Sequence, residues 1–349
     1  MRAYASGFLG QQPDISTSFR LFSDRDTRTS LVTGGWGCVG LVHQGVLRLH
    51  AEQARPVFVD IPEGCTTAAA LGFGHTLALT ESGHVFEHSL ARIHTQDSSQ
   101  EVCQQTPHTG PMSWSRVQLH QPVMAVAAGE HHSVALTIDG SVWTWGANTD
   151  AQLGWPSHAC APPQDGSPAI QMRVVAGPQA SCAGSADGEQ TAARLGGAQQ
   201  VMTAIACGAR HTCCVGHTGQ LLCWGWSLHG QCGQGRAAVS VPQPQDVRGL
   251  GGLKVVGVAA GLAHTVACTD SGDVYSWGWN ADGQLGLGDD SGRGEPELVS
   301  DAKLEHEHID QVTYGGYECK SDARKAVASG SVSWHAAVCN SAATGLLYM

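Results

Sequence analysis

Short apolar runs bounded by glycine recur along this chain, and none lengthens into the 3.6-residue period of an amphipathic helix. Val123-Met124-Ala125-Val126-Ala127, Ser133-Val134-Ala135-Leu136-Thr137 and Ser141-Val142-Trp143-Thr144-Trp145 are β-prone stretches separated by Gly or Asp-Gly turns. The pattern predicts a unit of strand, tight loop, hairpin and Gly-rich loop, and places the chain in the all-β class.

Three segments superimpose without gaps. Gly129, His132, Gly140 and Trp145 match Gly208, His211, Gly219 and Trp224, and again Gly261, His264, Gly272 and Trp277. The frame runs on to Gln152-Leu153-Gly154, Gln231-Cys232-Gly233 and Gln284-Leu285-Gly286. Agreement of this length at fixed spacing marks an internal repeat.

Degenerate copies keep the arithmetic and lose residues. Gly72 leads to His75 and Gly83, with His88 where Trp is expected, and Gly35-Trp36-Gly37-Cys38 leads to Gly45. A sixth copy begins at Gly330 with Trp334-His335 and ends at Gly345-Leu346-Leu347-Tyr348-Met349. Tyr4 precedes Gly10-Gln11 as Trp277 precedes Gly283-Gln284. The two ends thus read as halves of one unit, an arrangement that suits a closed ring whose terminal strands complete one blade and leave no exposed edge.

The expectation is a single domain over 1–349, with loop insertions at 155–200 and 289–310. Within the first insertion, Val174-Val175-Ala176-Gly177 followed by Gly188 reads either as a decayed seventh copy or as loop.

Composition narrows the function classes. Lys+Arg 19 against Asp+Glu 30 gives a net charge of -11, whereas a duplex-binding surface needs several cations to displace counterions. Direct nucleic-acid binding is disfavoured. No secretory leader and no apolar run long enough to cross a membrane are read, and the 13 cysteines suggest reduced thiols. A monomer of the cytoplasm, the nucleus or both is expected.

At these residues the chain resembles the regulator of chromosome condensation repeat family, whose unit reads Gly-x-x-His, then Gly, then Trp-Gly, then Gly-Gln-Leu-Gly. Residues 117–290 match strongly, and 1–90 and 326–349 as degenerate copies. The resemblance implies a seven-bladed β-propeller, where six repeats are visible. It implies functions ranging from guanine-nucleotide exchange on a small GTPase to chromatin association, ultraviolet sensing in plants and scaffolding, and fold does not choose among them. The plant photoreceptors carry Gly-Trp-Arg-His-Thr at several repeats. Here Glu130-His131, Ala209-Arg210 and Leu262-Ala263 stand at those places, so light sensing is not expected.

Candidate chemistry is weighed against packing. Cys207, Cys213 or Cys214, Cys223 and Cys232 crowd one repeat, yet they stand where other copies have Ala, Val, Thr or Ser, and Leu. They read as small buried hydrophobes rather than a zinc site. The repeated His75, His132, His211, His264 and His335 are expected to tie their loops to neighbouring backbone groups. Trp145, Trp224 and Trp277 are expected between blades, and Gly140, Gly219 and Gly272 at turns with positive φ. No catalytic residue, cofactor or metal is assigned.

The residues between Gly and His differ in every copy. Trp36, Phe73, Glu130, His131, Arg210 and Leu262 there form either a rim facing a partner or an unconstrained surface. Trp226 and Trp279, just after Trp-Gly, are further contact candidates. The expected function is a non-enzymatic adaptor or regulator linked to chromatin or nuclear regulation. The competing reading is an exchange factor. The partner is a protein, a small GTPase or a chromatin-associated one.

Overall fold

The computed structural model describes residues 31–35, 38–51, 57–59, 61–89, 114–155, 173–176, 200–236, 238–300, 309–314, 337–341 and 345–348. Glycine turns follow one another too closely for helices, and these residues form strands in six antiparallel sheets.

The first sheet holds β1 (Leu31–Gly35), β2 (Cys38–His43), β3 (Val46–Ala51) and β4 (Val57–Val59). The second holds β5 (Thr66–Leu71), β6 (His75–Thr80), β7 (Val85–Ser89) and β8 (Ser115–Val117). The third holds β9 (Val123–Ala128), β10 (His132–Thr137), β11 (Val142–Gly146) and β12 (Arg173–Ala176). In the fourth are β13 (Met202–Cys207), β14 (His211–Gly216), β15 (Leu221–Trp226) and β16 (Ser240–Asp246). In the fifth are β17 (Val255–Ala260), β18 (His264–Thr269), β19 (Val274–Gly278) and β20 (Arg293–Leu298). The sixth has β21 (Ile309–Tyr314), β22 (Ala337–Ser341) and β23 (Gly345–Tyr348).

In every sheet the strands lie in chain order, and the first strand packs against the first two strands of the sheet before it: β9 on β5 and β6, β13 on β9 and β10, β17 on β13 and β14, β21 on β17 and β18. This is the radial stacking of propeller blades. The fan is narrowest at the first strands, which carry small residues there, Ala68-Ala69-Ala70 and Ala259-Ala260 among them.

Burial follows from position in the blade. The second strands β6, β10, β14 and β18 are buried at every residue, covered on both faces by neighbouring sheets. They accordingly read as unbroken runs of Leu, Ala, Val, Cys and Thr rather than as alternating strands. Trp145, Trp224 and Trp277 are almost wholly buried, and Trp224 and Trp277 share a core that also takes in Val134, Leu136 and Leu222. Outer strands are the opposite case. β16 (Ser-Val-Pro-Gln-Pro-Gln-Asp) and β20 (Arg-Gly-Glu-Pro-Glu-Leu) are largely exposed and carry the prolines that only an edge tolerates.

The first strands of the second to sixth sheets, unlike β1, each carry one residue too many. Thr67, Met124, Thr203, Val256 and Asp310 drop out of the pairing with the second strand. Such a bulge bends the strand and adds twist. No motif in the sequence announced it.

Two expectations are corrected. Val174-Val175-Ala176 does not start a seventh copy, because it belongs to β12 and pairs with β11 as the outer strand of the third sheet. The stretches 155–200 and 289–310 are not loop throughout, since they supply β12 and β20. Both are outer strands, each paired along one edge only. Six sheets are present among the described residues. Tyr4, Gly10 and Gln11, and with them the joined terminal blade, lie outside those residues, as do Trp36, Gly188 and His335.

Candidate functional site

The Gly-x-x-His motif is a hairpin end with a two-residue tip. Gly129 N–H donates to the His132 carbonyl at 2.8 Å, and Gly72, Gly208 and Gly261 do the same to His75, His211 and His264 at 2.9 Å. The imidazole folds back over its own glycine: a Cβ on Gly129 would run into Cε1 and Nδ1 of His132, and the same holds in the other three copies. Glycine at that place is therefore a packing requirement. At the other end of the sheet, Gly140 turns the hairpin with φ 81, and a Cβ there would lie 2.9 Å from the Met202 nitrogen of the next blade.

The histidines reach across blades. His132 Nε2 lies 3.0 Å from Thr212 Oγ1, and Thr212 donates its own proton to the Gln152 carbonyl at 2.9 Å. One blade on, His211 Nε2 lies 3.1 Å from Thr265 Oγ1, and Thr265 donates to the Gln231 carbonyl at 2.8 Å. A hydroxyl has a single proton, so the imidazole must donate: both histidines are the Nε2–H tautomer. Their buried Nδ1 atoms have no hydrogen-bond partner among the described residues. Burial holds His132 and His211 at about 3 and His75 at about 4, so all three stay neutral near pH 7.

The same carbonyls take the repeat tryptophans, Trp224 Nε1 on Gln152 at 3.0 Å and Trp277 Nε1 on Gln231 at 2.9 Å. The histidines were expected to tie their loops to neighbouring backbone groups. His132 and His211 reach a backbone carbonyl through the threonine that follows the next repeat's histidine.

Trp145 has no such carbonyl described before it, and its indole donates to Glu87 Oε2 at 3.0 Å instead. Glu87 is largely buried, and that burial raises its pKa against the opposing pull of the Trp145 hydrogen bond. Four crowded cysteines resolve differently again. Cys213 and Cys223 face one another across β14 and β15 and are disulfide-bonded, which corrects the expectation of reduced thiols throughout.

With the frame fixed by these bonds, the tips are what vary. They lie at one end of the sheets together with the loops after Trp-Gly, because His211 pairs with Gly225 and His264 with Gly278. Tip is tied to tip: Phe73 N–H donates to the Glu130 carbonyl at 3.1 Å, and Glu130 N–H to that of Ala209 at 2.8 Å. Tip is tied to loop as well, with Trp226 N–H on Arg210 and Trp279 N–H on Ala263, both at 2.8 Å.

Two groups of the expected contact residues come together on this face. In the first, Arg210 Nε donates to Glu130 Oε2 at 2.6 Å and its NH1 lies 3.6 Å from Asp150 Oδ2. His131 adjoins Glu130 at 3.7 Å and meets the Phe73 ring edge-on at 5.4 Å. The group spans the second, third and fourth sheets. In the second, Trp226 and Trp279 are joined by His229, edge-on to Trp226 at 5.4 Å and stacked on Trp279 at 5.8 Å. Leu262 is half-buried on the tip of the fifth sheet.

Not every tip residue faces water. Ala209 and Ala263 are buried, so the variable pair is half anchor and half surface in those copies. Asp150 and His229 were missed as site residues. They, with Asp282, stand two before the repeat's Gln, whose side-chain Oε1 accepts their backbone N–H. That place varies inside a fixed frame as the tips do, and the internal alignment already contains it. Among the described residues, no group of three or more His, Cys, Asp or Glu side chains could hold a metal ion.

The model of the regulator of chromosome condensation (RCC1) repeat matches residues 124–152, 202–231 and 255–284, and a second model of that repeat matches 218–268 and 271–319. The chain is 31% identical over 343 residues to the human E3 ubiquitin-protein ligase HERC2, covering 90% of this chain and 6% of that protein. It is 29% identical over 204 residues to the ultraviolet-B receptor UVR8 of Arabidopsis thaliana, covering 51% of this chain and 46% of the receptor. The chain thus spans less than half the length of these relatives. Among solved structures, Prp20p from Saccharomyces cerevisiae, described with its binding properties to Gsp1p and histones, superposes with a TM-score of 0.61 at 20% identity. That match covers 85% of this chain and 71% of Prp20p.

Proposed function

We propose that this chain, which carries regulator of chromosome condensation repeats folded as propeller blades, is a non-enzymatic adaptor or regulator that binds a protein partner through its tip-and-loop face. The observation that carries this reading is the contrast on that face between fixed frame and varied surface. Backbone bonds repeat from blade to blade and His–Thr–Gln bonds close two of the boundaries, while the groups set on them are Arg210, exposed, and Phe73, Glu130, His131, Trp226 and Trp279, half-buried. Aromatic and arginine side chains on a rigid scaffold are the usual composition of a binding hot spot. A link to chromatin or nuclear regulation, in nucleus or cytoplasm, forms part of the proposal.

The test is affinity purification from native extract, comparing the wild type with Glu130→Lys plus Arg210→Glu. The swap keeps the pair's mutual attraction and inverts the charges presented to a partner. Loss of one dominant partner supports the reading, and an unchanged partner set contradicts it.

A second reading, a guanine-nucleotide exchange factor for a small GTPase, draws on the likeness to Prp20p and its binding to Gsp1p. Accelerated nucleotide release from a panel of GTPases supports it, and uniformly unchanged release contradicts it.

A further inference from the structure

We propose that the sector of this face between the fourth and fifth sheets docks an arginine-bearing segment of the partner. The inference rests on the protein-binding reading and names the chemistry that would be recognised. Trp279 already stacks a flat, nitrogen-bearing ring, His229, at an interplanar angle of 28°, and Trp226 closes the other side at 89°. A guanidinium is flat in the same way and adds a charge that indole faces attract. Leu228 and Val239, 52% and 64% exposed, adjoin the cluster, since Ser227 N–H donates to the Val239 carbonyl at 2.7 Å. They offer apolar contact to residues flanking the cation.

Charge points the same way. Asn280, next to Trp279, holds Asp289 and Ser291 through its side-chain amide, which brings the 289–291 turn beside the aromatic group. Arg293 pairs with Asp289 and Glu297, and Arg236 is turned onto the Gly292 carbonyl. Exposed Asp282, Asp290 and Glu295 have no ion-pair partner among the described residues, so the sector keeps a net negative charge. Burial and the nearby Arg236 depress the pKa of His229, so the imidazole is neutral near pH 7 and does not repel a cation.

The test uses the whole chain and fluorescein-labelled peptides of sequence Gly-Arg-Leu-Arg-Gly and Gly-Glu-Leu-Glu-Gly, read by anisotropy. The arginine peptide is expected to bind about tenfold more tightly than its glutamate counterpart, and to lose about tenfold in Trp279→Ala and in Asp282→Lys plus Glu295→Lys. The second variant changes only exposed residues and decides the matter if the first fails to fold. No preference between the peptides, or binding indifferent to both variants, overturns the inference. Should the Glu130/Arg210 swap abolish native partner binding while the arginine peptide fails to bind, the protein-binding reading stands and the arginine inference alone falls.

Discussion

His132 Nε2 and Thr212 Oγ1 lie 3.0 Å apart across the boundary between the third and fourth blades, and both are buried. The threonine hydroxyl donates a hydrogen bond to the carbonyl of Gln152, on the Gly-rich loop of the histidine's own blade. Three repeat positions far apart in sequence thereby close one inter-blade contact, and His211, Thr265 and Gln231 close the next.

Replacing Thr212 by Val keeps the shape and removes the relay, leaving the His132 N–H buried without an acceptor. The expected cost is about 1–3 kcal/mol in urea unfolding. Thr265→Val should cost the same, since it breaks the same link one blade on, and a loss below about 0.3 kcal/mol in both would show that the relay contributes nothing to stability.

The glycine that opens a repeat should be intolerant, and a glycine at the tip beside it should not. Gly129→Ala drives a methyl into the His132 ring, whereas a Cβ on Gly74 meets nothing within 4 Å. Gly129→Ala is expected to destabilise by about 1–3 kcal/mol and Gly74→Ala to fall within about 0.5 kcal/mol of wild type, measured side by side.

Acid should loosen the blades before it protonates most carboxylates. The folded-state values of His75, at about 4, and of His132 and His211, at about 3, lie below the unfolded value near 6.5. The unfolded chain therefore binds more protons between pH 6.5 and 4, and stability falls as pH drops through that window. The loss is on the order of 1 kcal/mol per histidine by pH 5.5. A midpoint of urea unfolding that stays constant from pH 7 to 5 would contradict neutral buried imidazoles.

Glu87 should behave as an acceptor rather than as a charge. Glu87→Gln leaves an oxygen for the Trp145 indole and removes a carboxyl whose raised pKa disfavours folding above the unfolded value. It is expected to be neutral or mildly stabilising at pH 7, while Glu87→Leu leaves the indole unpaired and costs about 1–3 kcal/mol. Chemical denaturation of the two variants at pH 7 separates the cases.

Strands and turns were legible wherever the unit is strict. The positions of Trp145, Trp224 and Trp277 foretell buried inter-blade packing because burial on both sides imposes the same residue each time. Outer strands were not legible. A sequence such as Ser-Val-Pro-Gln-Pro-Gln-Asp has the composition of a loop, and only pairing with β15 makes it a strand. The bulges at Met124 and Val256 leave no mark because their extra residue faces solvent and accepts many side chains.

The candidate face was half legible. Variation inside the fixed frame picked out Glu130 and Arg210, and their ion pair joins two blades. It could not tell that Ala209 turns inward, since a tip's two residues differ in direction and not in pattern. His229 was absent from the expected contacts, although Asp150, His229 and Asp282 vary at a fixed place of their own.

Hydrogen–deuterium exchange of the chain alone and with its recovered partner tests the central claim most directly. Docking on the tip-and-loop face is expected to slow exchange at 130–131, 147–151, 209–211, 226–230 and 279–283. It is expected to leave the hairpin turns at 81–84, 138–141, 217–220 and 270–273 unchanged. Protection confined to those turns would place the partner on the opposite end of the propeller and contradict the account.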